Sequence, residues 1–337
     1  AYRRLADGQI MKSTVPLETG ESSLTTNIGS VQNAGIELGV NFGVIRNQNF
    51  TWDVNVAFAR NWSKIKELPS GDDVSNNWFI GERLNVLRDY TYAGVITADG
   101  VTMHTINGDK HYTLQEVYDK YGPKSPNKLK WYEGQMAVND WNDDGKINDE
   151  DKQIYGCTDP KWTGSLSSTM TYKGFDFSFM LYTKQGQWSR SYFHEQYMDI
   201  SDRGRQKMSF DYYIPAGTPV LDKATGDITY LETPHMGAYP YPNNYEKTGG
   251  GYFSKSSSGV RYQKTSFVKV KNITLGYTFP KKWMSKIAVK HLRLYVNVLN
   301  PFCFTGYDGF DPEWASANLT DGGPASVTYQ IGANIKF

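Results

Sequence analysis

From residue 36 to residue 44 every even position is apolar: Ile36, Leu38, Val40, Phe42 and Val44. Glu37, Gly39, Asn41 and Gly43 fill the odd ones. After the Asn-rich stretch "RNQN" the alternation resumes in "FTWDVNVAF", with Phe50, Trp52, Val54, Val56 and Phe58 on one face. Two period-two runs joined by a short polar turn predict a β-hairpin. "SLSSTMTYKGFDFSFMLY" predicts a second hairpin, with a tight turn at Lys173-Gly174. Leu166, Met170 and Tyr172 share a face before that turn, and Phe175, Phe177, Phe179 and Leu181 share one after it. Three further strands follow, in "VKVKNITLGYTF", "HLRLYVNVLN" and "SVTYQIGANIKF". In the first, apolar parity switches from Val268 and Val270 to Ile273, Leu275 and Tyr277, which predicts a β-bulge near Lys271-Asn272.

Connection lengths carry the next signal. Residues 46–49, 173–174 and 280–290 are short links, whereas 13–27, 67–161, 186–264 and 301–324 are long, and the two kinds alternate. In an up-and-down array, that puts long loops at one end and short turns at the other, as in outer-membrane barrels. With a partial strand near residues 2–10, the count is about eight strands. Residues 86–97 add a strand only if a second one lies inside 67–161. Residues 31–45 and 50–66 exceed the roughly 9–11 residues that cross a bilayer. Gly39, Asn41, Gly43, Ser165, Ser167 and Thr169 are too small or polar to fill the lumen of a closed eight-stranded barrel. The fold class expected is therefore all-β: an arc of about eight antiparallel strands from a large transmembrane barrel, with long extracellular loops and short periplasmic turns. The competing architecture is a soluble β-sandwich, whose strands also alternate.

Composition narrows the function. The net charge is +1, from 36 basic and 35 acidic residues, so no nucleic-acid or other polyanion partner is implied. Mean hydropathy is −0.57, and no apolar stretch approaches a membrane helix, which excludes helical spans but not a barrel. Cys157 and Cys303 provide no zinc spacing; they flank strand ends on the same side, which leaves a disulfide between them open. "AYRRLADGQIMK" has no initiator Met and no apolar signal-peptide core, and it reads as a piece of a longer chain.

"NDWNDDGKINDED" (139–151) has the spacing of a calcium loop. The ligands expected are side-chain oxygens of Asp140, Asn142, Asp144 and Asp151, the Lys146 carbonyl, and a water at Asn148. Asp151 stands where sensor loops carry Glu, no second loop pairs with this one, and no helical stripe precedes it. A structural Ca2+ stapling a surface loop is expected, not a sensor. Trp78, Trp131, Trp141, Trp188 and Trp314 lie in loops, where packing is the first expectation and cargo stacking the second. Trp52 and Trp62 are expected in an interfacial girdle. "YDGFDPEW" gathers Asp308, Asp311 and Glu313, but no partner base or nucleophile accompanies them. An ordered loop is expected there, not an enzyme.

"YRRLADGQI", "PLETGESSLTTNIGSVQNAGIEL", "DWNDDGKINDEDKQIYG", "SFVKVKNITLGYTFP" and "LRLYVNVLNPFCFTGYDGFDPE" follow in order. With the terminal Phe337, they make nearly the whole chain similar to the C-terminal part of SusC/RagA-like TonB-dependent outer-membrane transporters of Bacteroidetes. The resemblance implies a barrel of about 22 strands that imports oligosaccharides or peptides. TonB would energise it and a SusD-like surface lipoprotein would close it. Residues 1–337 would be the C-terminal portion of that barrel, its plug, TonB box and N-terminal extension lying outside this chain. Its partners would be the rest of the barrel, outer-membrane lipid, the lipoprotein and, through the missing part, the TonB complex. The resemblance also makes Phe337 a barrel-assembly signal. The alternative is a soluble carbohydrate-binding β module with a calcium-stabilised loop.

Overall fold

The structure is a computed structural model that describes residues 1–8, 10–14, 23–27, 29–69, 71–122, 132–197, 211–241, 261–287, 289–316 and 325–337. Its main element is one antiparallel eight-stranded sheet. The strands are β1 (Tyr2–Asp7), β2 (Ser30–Arg46), β3 (Phe50–Glu67), β4 (Trp162–Tyr172), β5 (Phe175–Gln185), β6 (Phe267–Thr278), β7 (His291–Thr305) and β8 (Thr328–Lys336). Each pairs with its neighbour in this order, and the sheet stays open at β1 and β8.

The two predicted hairpins form as expected, each for a local reason. At β2–β3, Asn47 Oδ1 accepts the backbone N–H of Asn49 (3.0 Å) and Phe50 (2.7 Å), so the Asn-rich stretch closes its own turn. At β4–β5, Lys173 and Gly174 take φ of 45° and 92°. Positive φ at both central residues gives a turn whose twist matches the strands. β2 and β3 run 17 and 18 residues, so they extend well past a bilayer crossing.

Register sorts the side chains by face. Leu38 opposes Phe58, Val40 opposes Val56, and Phe42 opposes Val54. Val56 opposes Leu166, which opposes Leu181. Phe177 opposes Leu275, Leu275 opposes Val296, and Val296 opposes Ile331. Along these rows one face of the arc is apolar from β2 to β8, with Leu38, Phe42, Leu275, Val296 and Ile331 exposed on it. A water-soluble sheet would have to cover that face, whereas a barrel presents it to lipid.

The other face reads Gly39–Ala57, Asn41–Asn55, Ser167–Asn55 and Thr169–Asp53 in successive pairings, then Ser178–Thr274 and Thr274–Asn297. The predicted bulge is present: the register shifts between Val270 and Asn272, leaving Lys271 as the extra residue opposite β5. It restores parity, so apolar residues on both sides of it keep to the outer face.

Residues 86–122 and 132–157 form a small layer of their own on the loop end. Val86–Tyr90 pairs with Lys152–Cys157, Tyr92–Val95 pairs with Met136–Val138, and Val101–Thr105 forms a hairpin with Gly108–Tyr112. The segment 86–97 therefore finds local partners and does not extend the barrel sheet. Helix α1 (Leu114–Tyr121) follows a capping box in which Thr113 and Glu116 bond reciprocally. Its Val117 and Tyr121 pack with Ile96, Met103, Val138 and Ile147 into a buried cluster. Cys157 is buried in this layer and Cys303 lies exposed on β7; both are free thiols, so no disulfide joins them.

Candidate functional sites

Three places gather polar chemistry: the inner face of the arc, the carboxylates of the 306–316 loop, and the acidic loop 140–151.

On the inner face, side chains bond from strand to strand. The hydroxyls of Thr51 and Thr171 lie 2.5 Å apart, Thr274 Oγ1 donates to Asn297 Oδ1 (2.9 Å), and Asn297 Nδ2 donates to Gln330 Oε1 (3.0 Å). Arg293 grips Asp176 through two nitrogens, at 2.9 and 2.5 Å. Such ladders suit a wet wall, because each group exchanges water for a neighbour at little cost. The outer face needs the opposite treatment, since a donor in lipid has no water to fall back on. There the Trp52 indole N–H is satisfied by buried Ser168 at 3.0 Å.

The 306–316 loop is held by the bulge. Because Lys271 is the extra residue in β6, Lys269 reaches the polar face beside Tyr182 and Cys303. Lys269 Nζ donates to both oxygens of Asp311 (2.6 and 2.8 Å) and to Glu313 (2.6 Å), and Lys271 adds a bond to Glu313 (2.7 Å). Burial raises the Glu313 carboxyl, but its two lysine partners outweigh that and hold it below its usual range.

Asp308 anchors the same loop elsewhere. His194 Nε2 lies 2.6 Å from Asp308 Oδ1, Tyr239 OH donates to Oδ2 (2.5 Å), and Ser191 Oγ lies 2.6 Å from His194 Nδ1. Serine, histidine and aspartate here have triad composition without triad function. Ser191 and His194 are fully buried, and Ser191 Oγ also bonds Tyr307 OH (2.6 Å) and accepts the His194 N–H. No substrate carbonyl can reach that hydroxyl, so the cluster is a brace for the loops. Burial raises the Asp308 carboxyl too, but hydrogen bonds from His194 and Tyr239 bring it below the usual carboxylate range.

In the acidic loop, Asp140 and Asp151 are both completely buried, Asp144 is exposed, and Asn142 and Asn148 are half-buried. Asp140 Oδ2 accepts from Tyr121 OH (2.6 Å) and the Gly145 N–H (2.8 Å), with Lys120 Nζ at 3.4 Å. Asp140 Oδ1 is buried without a hydrogen-bond partner. Asp151 accepts the backbone N–H of Asn142 (3.3 Å) and Asn148 (2.8 Å). Asn142 and Asp144 each accept the N–H two residues on, that of Asp144 (3.1 Å) and Lys146 (2.8 Å). Gly145 has φ of 83°, the conformation the sixth place of a calcium loop requires.

Cations from outside the loop relieve part of its charge: Lys110 pairs with Asp143, and Lys152 pairs with Asp149 at 2.6 Å. Among the described residues, no three Asp, Glu, His or Cys side chains stand together as a ready-made metal site.

The loop tryptophans divide. Trp188 is packed, its ring 5.7 Å from Tyr155 with Lys264 over it. Trp78 closes a turn with Asp73, and the Trp141 carbonyl accepts the Ile106 N–H. Trp314 is exposed, and Trp131 lies outside the described residues. Trp62 lies on β3 beneath the Arg60 guanidinium. Phe337 is exposed and its carbonyl accepts from Lys290 (3.0 Å). Sequence reasoning missed Lys269, Ser191 and His194. The parity break at Lys271 was the available signal for Lys269, whereas Ser191 and His194 are separated from their partners Tyr239, Tyr307 and Asp308 by long stretches of chain.

A two-faced, open sheet with tall strands, long loops at one end and short turns at the other is an arc of a large outer-membrane β-barrel. No protein-family model matches the chain. Among curated proteins, it is 29% identical over its whole length to TonB-dependent receptor P39 of Formosa agariphila, of which it covers 33%. To TonB-dependent receptor SusC of Bacteroides thetaiotaomicron it is 28% identical, again over its whole length, covering 29% of that protein. Among solved structures, the RagAB peptide transporter matches 99% of this chain with a TM-score of 0.64 and 17% identity, the chain covering 32% of it. The chain is homologous to SusC-type TonB-dependent receptors, shares the RagAB fold, and resides in the outer membrane. It spans about a third of the length of the relatives it matches.

Proposed function

We propose that this arc is the wall of an active importer of oligosaccharides or peptides, energised by TonB and worked with a SusD-like surface lipoprotein. The observation that carries this reading is the division of faces: an apolar exterior, interrupted on β4 by Ser168, against a polar interior of small and hydrogen-bonding side chains. Eight strands closed on themselves would need bulky inward residues, and Gly39, Asn41, Ser167 and Ser178 are not bulky. The open edges at β1 and β8 call for more strands, because unpaired backbone groups cannot face lipid. The remainder of the same barrel is the partner that supplies them.

The chain's likeness to TonB-dependent receptors supports TonB coupling, and its likeness to the RagAB peptide transporter supports peptide as one cargo class. The test is uptake by the native bacterium with the intact gene deleted and restored. Labelled peptide mixtures and oligosaccharide mixtures are supplied separately, with and without a protonophore. Loss of proton-motive-force-dependent uptake of one class on deletion supports the reading and identifies the cargo. Unchanged uptake of both classes overturns it.

A further inference from the structure

We propose that Asp140–Asp151 is a calcium site, with the unpartnered Oδ1 of Asp140 as its first ligand and Asp151 as its closing one. The starting point is the asymmetry of one carboxylate. Asp140 is completely buried, and its Oδ2 is fully engaged by Tyr121, Gly145 and the edge of Lys120, while Oδ1 meets no donor. A buried carboxylate oxygen left without a partner costs free energy, and the cost is removed by a hydrogen-bond donor or by a cation.

Asp151, equally buried, meets only backbone N–H groups through its two oxygens. Two buried carboxylates at the two ends of one loop, one with a bare oxygen, fit a divalent ion.

The remaining ligands are oxygens as well. Asp144 is exposed, with its Oδ1 on the Lys146 N–H, and would turn inward to reach the ion; Asn142 would offer its amide oxygen, Lys146 its carbonyl, and a water would fill the place of Asn148. An all-oxygen, flexible set favours calcium over magnesium and gives zinc no soft ligand. Lys120 sits at the Oδ2 edge, so it neutralises the outer side of Asp140 without blocking Oδ1. The ion would join the start of the loop, tied by Asn139 to Thr91 and His104, to its end at the strand Lys152–Cys157.

The test uses the intact transporter in detergent, stripped with chelator and titrated with calcium or magnesium chloride by calorimetry. Wild-type protein should bind one calcium with Kd on the order of 10⁻⁴–10⁻³ M, with magnesium about tenfold weaker. Asp140→Asn, which preserves size, should abolish binding. Asp144→Ala leaves both buried aspartates in place and should weaken it about tenfold. If Asp140→Asn fails to assemble, Asp144→Ala carries the test. Cleavage by trypsin after Lys146 is the second readout: slowed by calcium in the wild type, not slowed in Asp140→Asn, and slowed in Asp144→Ala only at about tenfold more calcium. Absence of calcium-dependent heat with equal cleavage in chelator and in calcium overturns the proposal, as does wild-type calcium binding by an assembled variant.

Discussion

Lys269 is the most heavily committed single residue of the barrel wall. It is 3% exposed, and its ammonium serves two carboxylates of a distant loop. A buried ion pair is weak evidence of net stability, but removing one partner is costly because the other charge stays behind. Lys269→Met orphans Asp311, which is itself buried, whereas Glu313 keeps Lys271. The local cost should be about 3–5 kcal/mol, read as at least a hundredfold faster amide exchange in the loop. Adding Asp311→Leu should restore much of the protection. Exchange unchanged in the single variant would mean that the loop is held by other contacts.

Acid should release the same loop. Asp308 and Glu313 sit below their ordinary values of 3.8 and 4.5, so their contribution to docking is complete above those values. It is lost as pH falls through the lowered values. Exchange of the loop, corrected for the intrinsic pH dependence, should therefore be flat from neutral pH down to the carboxylate range and rise only below it.

At the scale of elements, the bulge in β6 absorbs Lys271 and so keeps the parity of both halves of the strand. Deleting Lys271 removes the extra residue, so Asn272 follows Val270 in plain alternation. Ile273, Val270 and Val268 then stay outward and Lys269 stays inward. The deletion should therefore assemble to near the wild-type level of heat-modifiable outer-membrane protein, losing only the Lys271–Glu313 bond. Lys271→Ala loses the same bond, keeps the extra residue and should also assemble. A sharp fall on deletion with normal assembly of Lys271→Ala would show that the bulge does more than set parity.

This bulge was legible in the sequence because period two makes any break visible. So were both hairpins, whose turn residues and apolar stripes agree. The loop layer was not: Val86–Tyr90 pairs with residues more than sixty positions later, and short irregular strands leave no period to read. The acidic loop was legible through its spacing, yet its burial was not. Tyr121, Lys120 and Lys110, which surround it, come from a helix and a hairpin that nothing in the loop sequence announces.

For the whole molecule, neighbouring residues answer to different solvents. Phe42 and Asn41 are adjacent in β2 and both exposed in the arc, but their cross-strand partners are Val54 and Asn55. Phe42 lies a few residues from the turn end of the strand, near the middle of the crossing. A charged side chain there has neither water nor a partner, and Arg at the midplane of a barrel's lipid face costs about 2–4 kcal/mol. Asn41 faces the polar interior, where a guanidinium remains hydrated. Phe42→Arg should therefore lower the urea midpoint of the intact barrel in lipid vesicles, whereas Asn41→Arg should leave it nearly unchanged. Phe42→Leu, which keeps the position apolar, should resemble the wild type and separate the cost of the charge from the loss of the ring. If Asn41→Arg proved as damaging as Phe42→Arg, the inner face would be dry and packed, and the wide, water-lined barrel inferred from its small side chains would be wrong.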